Sequence, residues 1–260
     1  MQQNFDIRVI SLIDQQDRRE RVQQLFKDTN IAWQFLDAVS GKNLENYWHH
    51  YDQAQRLKTL GYDMRNNEIA CFLSHRIAWQ QCVENDRPML VLEDDIQLTS
   101  RLKSFDQVIP MAEALIAFLK ENLFVRIGNL HGDHPENKAH LEIHTFADQP
   151  SSIVRYKKDP MTTMGYLLSP QIAKKLLAHS EKFSLPVDNF LWCGWQHGAC
   201  LLDILPPLVF TSDDDTPSTI GNRQKPEIKF FRKISREWHR LLHNKNQFIY
   251  RKFIAESIFK

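Results

Sequence analysis

The sequence predicts an α/β fold that begins with a parallel βαβ unit, and three observations predict it. The chain opens strand–helix–strand. Ile7-Arg8-Val9-Ile10-Ser11-Leu12 is a strand run, Val22, Leu25 and Phe26 lie at helical spacing, and Trp33-Gln34-Phe35-Leu36-Asp37-Ala38-Val39 is a second strand run. A second helical stripe, Ile69, Phe72, Leu73, Ile77, Ala78 and Cys82, precedes another strand. That strand is the apolar run Pro88-Met89-Leu90-Val91-Leu92, and it ends abruptly in Glu93-Asp94-Asp95.

Each element has a local cause. Asp14 and Asp17 make a polar turn after the first strand, and Arg18, Arg19 and Arg21 ride on the helix that follows. Ser40-Gly41 closes the second strand, and residues 44–60 read as helical or irregular. Asn67-Glu68 starts the long helix, and Asn85-Asp86-Arg87-Pro88 stops it, because proline cannot donate to or continue a helix. A helix around Met111–Asn122 leads to the strand Leu123-Phe124-Val125-Arg126-Ile127-Gly128. Residues 131–152 hold His131, His134, His140 and His144 with little apolar pattern, so a surface excursion is expected. Met164-Gly165-Tyr166-Leu167-Leu168 resumes as a strand. Ser169 then caps a helix whose first residue is Pro170 and whose apolar face is Ile172, Leu176 and Leu177.

Composition narrows the function classes. At 260 residues, with 42% hydrophobic and 25% charged residues, the chain is ordinary for a globular protein of one or two domains. The start, Met1-Gln2-Gln3-Asn4-Phe5-Asp6, has no export-signal pattern, and no stretch approaches the ~20 apolar residues of a spanning helix. Cys71, Cys82, Cys193 and Cys200 form no C-x-x-C pair, so buried reduced thiols in a cytoplasmic protein are expected rather than a zinc site. The net charge of +1 hides an asymmetry: residues 222–260 carry eleven Lys and Arg against three Asp and Glu. The expected division is therefore a body over residues 1–221 and a basic amphipathic tail over residues 222–260.

Glu93-Asp94-Asp95 is the most chemically loaded feature. Carboxylates crowded behind a buried strand repel one another, and a divalent cation relieves the repulsion. Hard cations such as Mn²⁺ or Mg²⁺ take oxygen ligands and keep positions for substrate phosphates. In an extended segment Glu93 and Asp95 point one way and Asp94 the other, so Glu93 and Asp95 are the expected metal ligands. A solvated acidic turn explains the same residues without a metal.

Four blocks, read in order, resemble glycosyltransferase family 25. They are Val9-Ile10-Ser11-Leu12 with Asp17-Arg18-Arg19-Glu20-Arg21; Asn67-Glu68-Ile69-Ala70-Cys71-Phe72-Leu73-Ser74-His75 with Trp79; Val91-Leu92-Glu93-Asp94-Asp95; and Thr163-Met164-Gly165-Tyr166-Leu167-Leu168-Ser169 with Leu185-Pro186-Val187-Asp188. Asn67 stands where the family pattern has glycine, and asparagine tolerates a positive φ there. The resemblance implies a GT-A nucleotide-sugar-binding sandwich and a DxD-like metal motif. It also implies inverting transfer of a hexose, galactose before glucose, from a UDP-sugar to a lipopolysaccharide or lipooligosaccharide core acceptor.

Roles follow from that chemistry. Arg18 is expected to clamp the diphosphate, with Ser11 and Leu12 at the base or ribose, and a solvated helix face is expected for at least one of Arg18, Arg19 and Arg21. Glu68, Ser74 and His75 share one helix, and donor-sugar or diphosphate contact is expected for them; Glu68 also suits the helix N-terminus as a first-turn carboxylate. Asp94 supports the ligand pair, while Thr163 and Gly165 line the sugar pocket, where glycine permits close backbone approach. Asp188 is the expected general base, and a helix N-cap is its competing role. His197 reads as a helix-surface residue with a metal role as the alternative, and Asp213-Asp214-Asp215 as a solvated loop.

The tail places Phe230, Phe231, Ile234, Trp238, Leu241 and Leu242, then Phe248, Ile249, Phe253, Ile254, Ile258 and Phe259, among Lys, Arg and His. Such a helix suits an anionic membrane surface, so peripheral attachment to the inner membrane, beside a lipid-linked oligosaccharide acceptor, is expected, with an intramolecular helix packed on the body as the alternative, and nucleic acid is not expected. Two competitors remain: a metal-dependent phosphoesterase using the same carboxylates, and a non-catalytic carbohydrate- or membrane-binding protein of glycosyltransferase ancestry.

Overall fold

A computed structural model of the chain describes residues 3–128, 140–146, 151–156, 162–211, 237–238, 241–242 and 244–250. The elements run β1 (Asp6–Ser11), α1 (Gln16–Phe26), β2 (Gln34–Asp37), α2 (Gln53–Leu60), α3 (Asn66–Glu84), β3 (Met89–Glu93), β4 (Gln97–Leu98), α4 (Val108–Leu119) and β5 (Phe124–Arg126). They continue β6 (His140–Thr145), β7 (Ser152–Tyr156), β8 (Gly165–Leu168), α5 (Pro170–His179), α6 (Val187–Trp192), α7 (Gly194–His197), β9 (Leu202–Leu205) and β10 (Val209–Phe210).

Eight strands form one mixed sheet in the order β2-β1-β3-β8-β5-β9-β7-β6, and β4 pairs antiparallel with β10 in a small second sheet. β1 is parallel to both β2 and β3, which gives the first half a Rossmann-like βαβ character. β8 lies antiparallel between β3 and β5. The expected α/β class is thus present, with a sheet more mixed than the opening strands foretell.

Strand alternation divides the core. Successive side chains point to opposite faces, so Ile10, Met89, Val91, Tyr166 and Leu168 pack on α3, α5 and α6, in one cluster with Phe72 and Phe190. Ile7, Val9, Leu90, Leu92 and Leu167 pack with Val22, Phe26, Met111 and Leu115 of α1 and α4 on the other face. The central strands are buried on both sides, which is why β3 reads as an unbroken apolar run.

Local signals hold in detail. The Ser169 hydroxyl accepts from the Ile172 N–H at 3.2 Å, with Pro170 in the first turn. Asp52 caps α2 by accepting from Gln55 N–H at 2.8 Å, and Gly61, at φ 79°, ends it in the left-handed conformation. Two readings change. Asn67 lies within α3; among the described residues the non-glycine positions with positive φ are Asp86 and Lys120. The stretch 140–145 is an edge strand rather than a surface excursion, paired with β7. Its register shifts between Glu142 and His144, which breaks the alternation a sequence reading needs. Leu201 to Phe210 supplies β9 and β10. His131, His134 and Asp213-Asp214-Asp215 lie outside the described residues, as does the expected boundary at 221/222.

Of the tail, residues 244–250 are helical. Gln247 is buried there and donates through Nε2 to Trp192 O at 2.7 Å. Tyr250 packs so closely on Gly194 that a Cβ at that position would collide with its ring. Trp238, Leu241 and Phe248 are exposed. Phe230, Phe231, Ile234, Phe253, Ile254, Ile258 and Phe259 lie outside the described residues. Among the described residues, no helix is long and apolar enough to cross a membrane.

Candidate active site

Because β1, β2 and β3 are parallel, their C-terminal ends open on one side, where α/β sheets bind ligands. A cleft of about 360 Å³ lies there, within the size range of small-molecule sites. Its walls are the turn after β1, the loop 38–42 after β2, one face of α3, and Glu93, Asp94 and Asp95. Strand β3 ends at Glu93, and Asp94 and Asp95 form a turn. All three acids therefore reach the cleft, and the strict alternation expected of an extended segment stops at Glu93.

The three acids nonetheless have different surroundings. Asp94 is occupied: Arg18 NH1 donates to Oδ1 at 2.8 Å and Ser11 Oγ donates to Oδ2 at 2.7 Å. Both side chains of the Arg18–Asp94 pair are about nine-tenths buried. Glu93 Oε1 accepts from Thr163 Oγ1 at 2.6 Å and faces His75 Nε2 at 3.6 Å. Burial pushes the Glu93 carboxyl up, but the neighbouring His75, the bond from Thr163 and the Arg18 charge outweigh burial and hold it below its ordinary value. Asp95 has the opposite balance. Burial first, and the Glu93 charge second, push its carboxyl up to about 7. Its Oδ1 is buried without a hydrogen-bond partner.

That orphaned oxygen is what a cation would satisfy. Asp95 Oδ1 and the Glu93 carboxylate are hard oxygen donors whose mutual repulsion a divalent ion removes, so the residues present fit one. Cys71 Sγ also comes within 4.8 Å of ligand atoms of His75 and Glu93. Burial, then the charges of Glu93, Asp188 and Asp95, push its thiol well up in the metal-free protein.

The remaining expected site residues divide. Leu12, Ser74 and His75 line the cleft with Ser11 and Arg18. Ser74 ties α3 to the loop after β2, accepting from Val39 N–H at 2.9 Å and donating to Ala70 O at 2.8 Å. Arg19 turns away, donating to Ser11 O and Leu12 O and lying over the Phe35 ring at 4.6 Å. Glu68 sits outside the cleft wall and caps α3, its Oε2 accepting from Arg65 N–H at 2.9 Å. Gly165 faces the opposite layer: a Cβ there would press on Ile127 and Leu92 at 3.1 Å and on Val209 at 3.2 Å. Close strand packing therefore requires that glycine, and it does not line the cleft.

Asp188 is in the first turn of α6, whose N-cap is Pro186, so it is not the cap. Its Oδ1 accepts from its neighbour Asn189 N–H at 2.8 Å, and its charge reaches Cys71 in the cleft wall. His197 is not on a helix surface; it is 2% exposed. Its Nδ1 accepts from Ala199 N–H at 3.2 Å and Nε2 bonds Phe190 O at 3.1 Å. Burial lowers its pKa to about 4, and with both nitrogens engaged it is a structural group.

Several participants escaped the sequence reading. Lys42, Ser40 and Asn67 line the cleft, and Gly41 packs against Asn67 closely enough to exclude any side chain. Tyr166 and Trp79 form a buried hydrogen-bonded pair behind His75. Their signal was a hydroxyl and an indole N–H inside otherwise apolar runs, since buried polar tips need partners.

Comparison with known proteins places these features. The family described as glycosyltransferase family 25 (LPS biosynthesis protein) matches residues 1–191. Procollagen galactosyltransferase 1 of Danio rerio is 29% identical over 202 residues, covering 72% of this chain and 30% of that protein. Lipooligosaccharide biosynthesis protein lic2B of Haemophilus influenzae is 33% identical over 99 residues, covering 37% of this chain and 36% of that protein. A further Haemophilus influenzae protein, provisionally named a glycosyltransferase, is 30% identical over 261 residues, covering 90% of this chain and 83% of that protein. The chain spans under a third of the procollagen galactosyltransferases it matches.

Proposed function

The chain belongs to glycosyltransferase family 25, and from that premise we propose that it transfers a hexose from a UDP-sugar to a lipopolysaccharide or lipooligosaccharide core acceptor, with inversion. Galactose is the first donor to test and glucose the second. One observation carries the reading: the family's acidic block lies in the cleft at the strand ends, with Asp94 neutralised and Asp95 Oδ1 left without a partner.

Glu93 and Asp95 would hold Mn²⁺ or Mg²⁺. Such an ion, when bound, acts as a Lewis acid towards the leaving diphosphate. Arg18, already buried beside Asp94, would add positive charge on the same side, and Ser11 and Leu12 would meet the nucleoside. His75 and Ser74 on the α3 wall would face the donor. Asp188, which stands outside the lining of the cleft in the first turn of α6, is the proposed general base. The GT-A assignment is supported by the Rossmann-like first half and by the acids after β3.

We place the catalytic unit in residues 1–221 and assign the basic tail to the cytoplasmic face of the inner membrane, where a lipid-linked acceptor lies. Exposed Trp238, Leu241 and Phe248 support that assignment, while Gln247 and Tyr250 hold the helical turn they flank on the body. Loss of binding to anionic liposomes in a Trp238→Ala/Phe248→Ala chain is the expected result; unchanged binding removes the membrane assignment.

The central test is a donor screen that follows UDP release on truncated core oligosaccharide, with and without Mn²⁺. Metal-dependent turnover of a UDP-hexose is expected. Phosphate-ester cleavage without any sugar acceptor would favour a phosphoesterase. No turnover of any UDP-hexose, with Asp95→Ala indistinguishable from the parent, would leave a non-catalytic binding protein.

A further inference from the structure

Behind the cleft, α3 and β8 share a chain of hydrogen bonds whose direction elementary chemistry fixes. Trp79, Tyr166 and His75 are fully buried. The Trp79 indole N–H can only donate, and it donates to the Tyr166 hydroxyl at 2.8 Å. The hydroxyl oxygen is thereby an acceptor, and its own hydrogen needs a second partner. His75 Nδ1, at 2.8 Å, is that partner. Nδ1 must then be the unprotonated nitrogen, and the imidazole carries its hydrogen on Nε2. That N–H has no hydrogen-bond partner of its own and points at Glu93 Oε1, 3.6 Å away. The same oxygen already takes the Thr163 hydroxyl at 2.6 Å.

We propose that Trp79, Tyr166 and His75 form a positioning relay that aims the Nε2–H of His75 at Oε1 of Glu93, which Thr163 already occupies, and so leaves Oε2 as the cation-binding oxygen. The inference rests on the reading of Glu93 as a metal ligand. It assigns roles to Tyr166 and Trp79, neither of which lines the cleft, and it makes His75 a holder of the ligand rather than a ligand itself. A His75 ligated through Nε2 would need the opposite tautomer, and then the Tyr166 hydrogen would be buried without an acceptor, at a cost of about 1–3 kcal/mol. Second partners that orient metal ligands are worth about 10–100-fold in affinity when removed, which sets the expected size of the effect.

The experiment uses the full chain labelled with ¹⁵N-histidine, and Mn²⁺ itself as the probe. NMR of the metal-free protein at mildly alkaline pH should show His75 with Nε2 protonated and Nδ1 bare. Tyr166→Phe removes the hydroxyl, so the tautomers should mix, and Mn²⁺ affinity, read by water proton relaxation, should fall about 10–100-fold. Trp79→Phe leaves the hydroxyl free to accept from Nδ1–H as well as to donate to Nδ1, so it should weaken the tautomer preference; a tautomer unchanged in Trp79→Phe removes Trp79 from the relay. If Tyr166→Phe does not fold, the pair Thr163→Val and Thr163→Ser replaces it: the first should weaken Mn²⁺ binding and the second restore it. A parent chain with Nδ1 protonated overturns the relay, as does Mn²⁺ affinity unchanged in Tyr166→Phe or, in its place, in Thr163→Val. A parent chain that binds neither Mn²⁺ nor Mg²⁺ overturns the metal reading instead, and the relay falls with it.

Discussion

Two groups of buried charges sit in the same sheet and are built on opposite plans. Arg126 of β5 and Asp203 of β9 meet in two parallel bonds, 2.7 Å from Nε to Oδ1 and 3.2 Å from NH2 to Oδ2, and NH1 reaches Thr162 O at 3.2 Å. Both side chains are almost wholly buried. Glu93, Asp94 and Asp95 after β3 bring three acids together, with Arg18 and, beside Glu93, His75 as their ion-pair neighbours among the described residues, and leave Asp95 Oδ1 unsatisfied. The saturated pair serves the fold. The unsaturated cluster is a cost that a bound cation would offset, and this is the physical signature expected of a site rather than of a core.

The largest effect should come from breaking the saturated pair. Arg126→Met strands Asp203 in the interior and should cost about 3–5 kcal/mol in urea unfolding, whereas adding Asp203→Leu should recover much of it. A single-variant cost under about 1 kcal/mol would mean that the pair is not the closed unit its geometry describes.

Acid titration should separate the two plans next. His197 belongs with the saturated group, and its pKa in the folded protein is about 4 against an ordinary 6.5. Between those values the unfolded chain binds a proton that the folded one does not, so stability is present above 6.5 and is lost as pH falls towards 4, by about 3 kcal/mol in all. Asp95 acts in the reverse sense. Its folded value of about 7 exceeds the ordinary 3.8, so its contribution is present at low pH and is lost as pH rises through 7. In the metal-free protein the two slopes oppose one another. His197→Gln should remove the first and leave stability falling with pH across that window; an unaltered profile would show that His197 does not titrate as a buried group.

Neutralising the unsaturated cluster should have a smaller effect on stability and a large one on turnover. Asp95→Asn removes a like charge beside Glu93, so the metal-free protein should gain about 1–3 kcal/mol at neutral pH. Stabilisation by Mn²⁺ in a thermal scan should shrink, and transfer should fall about 100-fold or more. A variant that is less stable without metal and still turns over would place Asp95 with Arg126 and Asp203, among structural charges.

How far these two plans could be read in advance differs for physical reasons. The strand and helix periods of β1, α3, β3 and α5 report local packing, so they are legible in a short window. The acids after β3 were legible because a run of like charges behind an apolar strand has few structural uses. Arg126 and Asp203 were not, since their bond joins residues far apart in sequence and each looks alone like an ordinary polar interruption. Strand β6 was hidden by its register shift. Gly165 was misread because a glycine needed for close strand packing and one needed for ligand approach leave the same mark in sequence. Tyr166 carries its meaning only through Trp79 and His75, which reach it from another element.

Glu68 tests where the boundary between the plans runs. It shares α3 with Ser74 and His75, yet its carboxylate is committed to the Arg65 N–H at the helix start. As a cap alone, Glu68→Ala should lower stability by about 0.5–2 kcal/mol and leave the KM for the UDP-sugar unchanged. If it reaches the donor, KM should rise several-fold while Glu68→Gln, which keeps an acceptor oxygen for the cap, restores stability and not binding. The cap geometry favours the first outcome. The first turn of α3 would then be shared, with Asn67 bordering the cleft and the neighbouring Glu68 carboxylate belonging to the saturated half of the molecule.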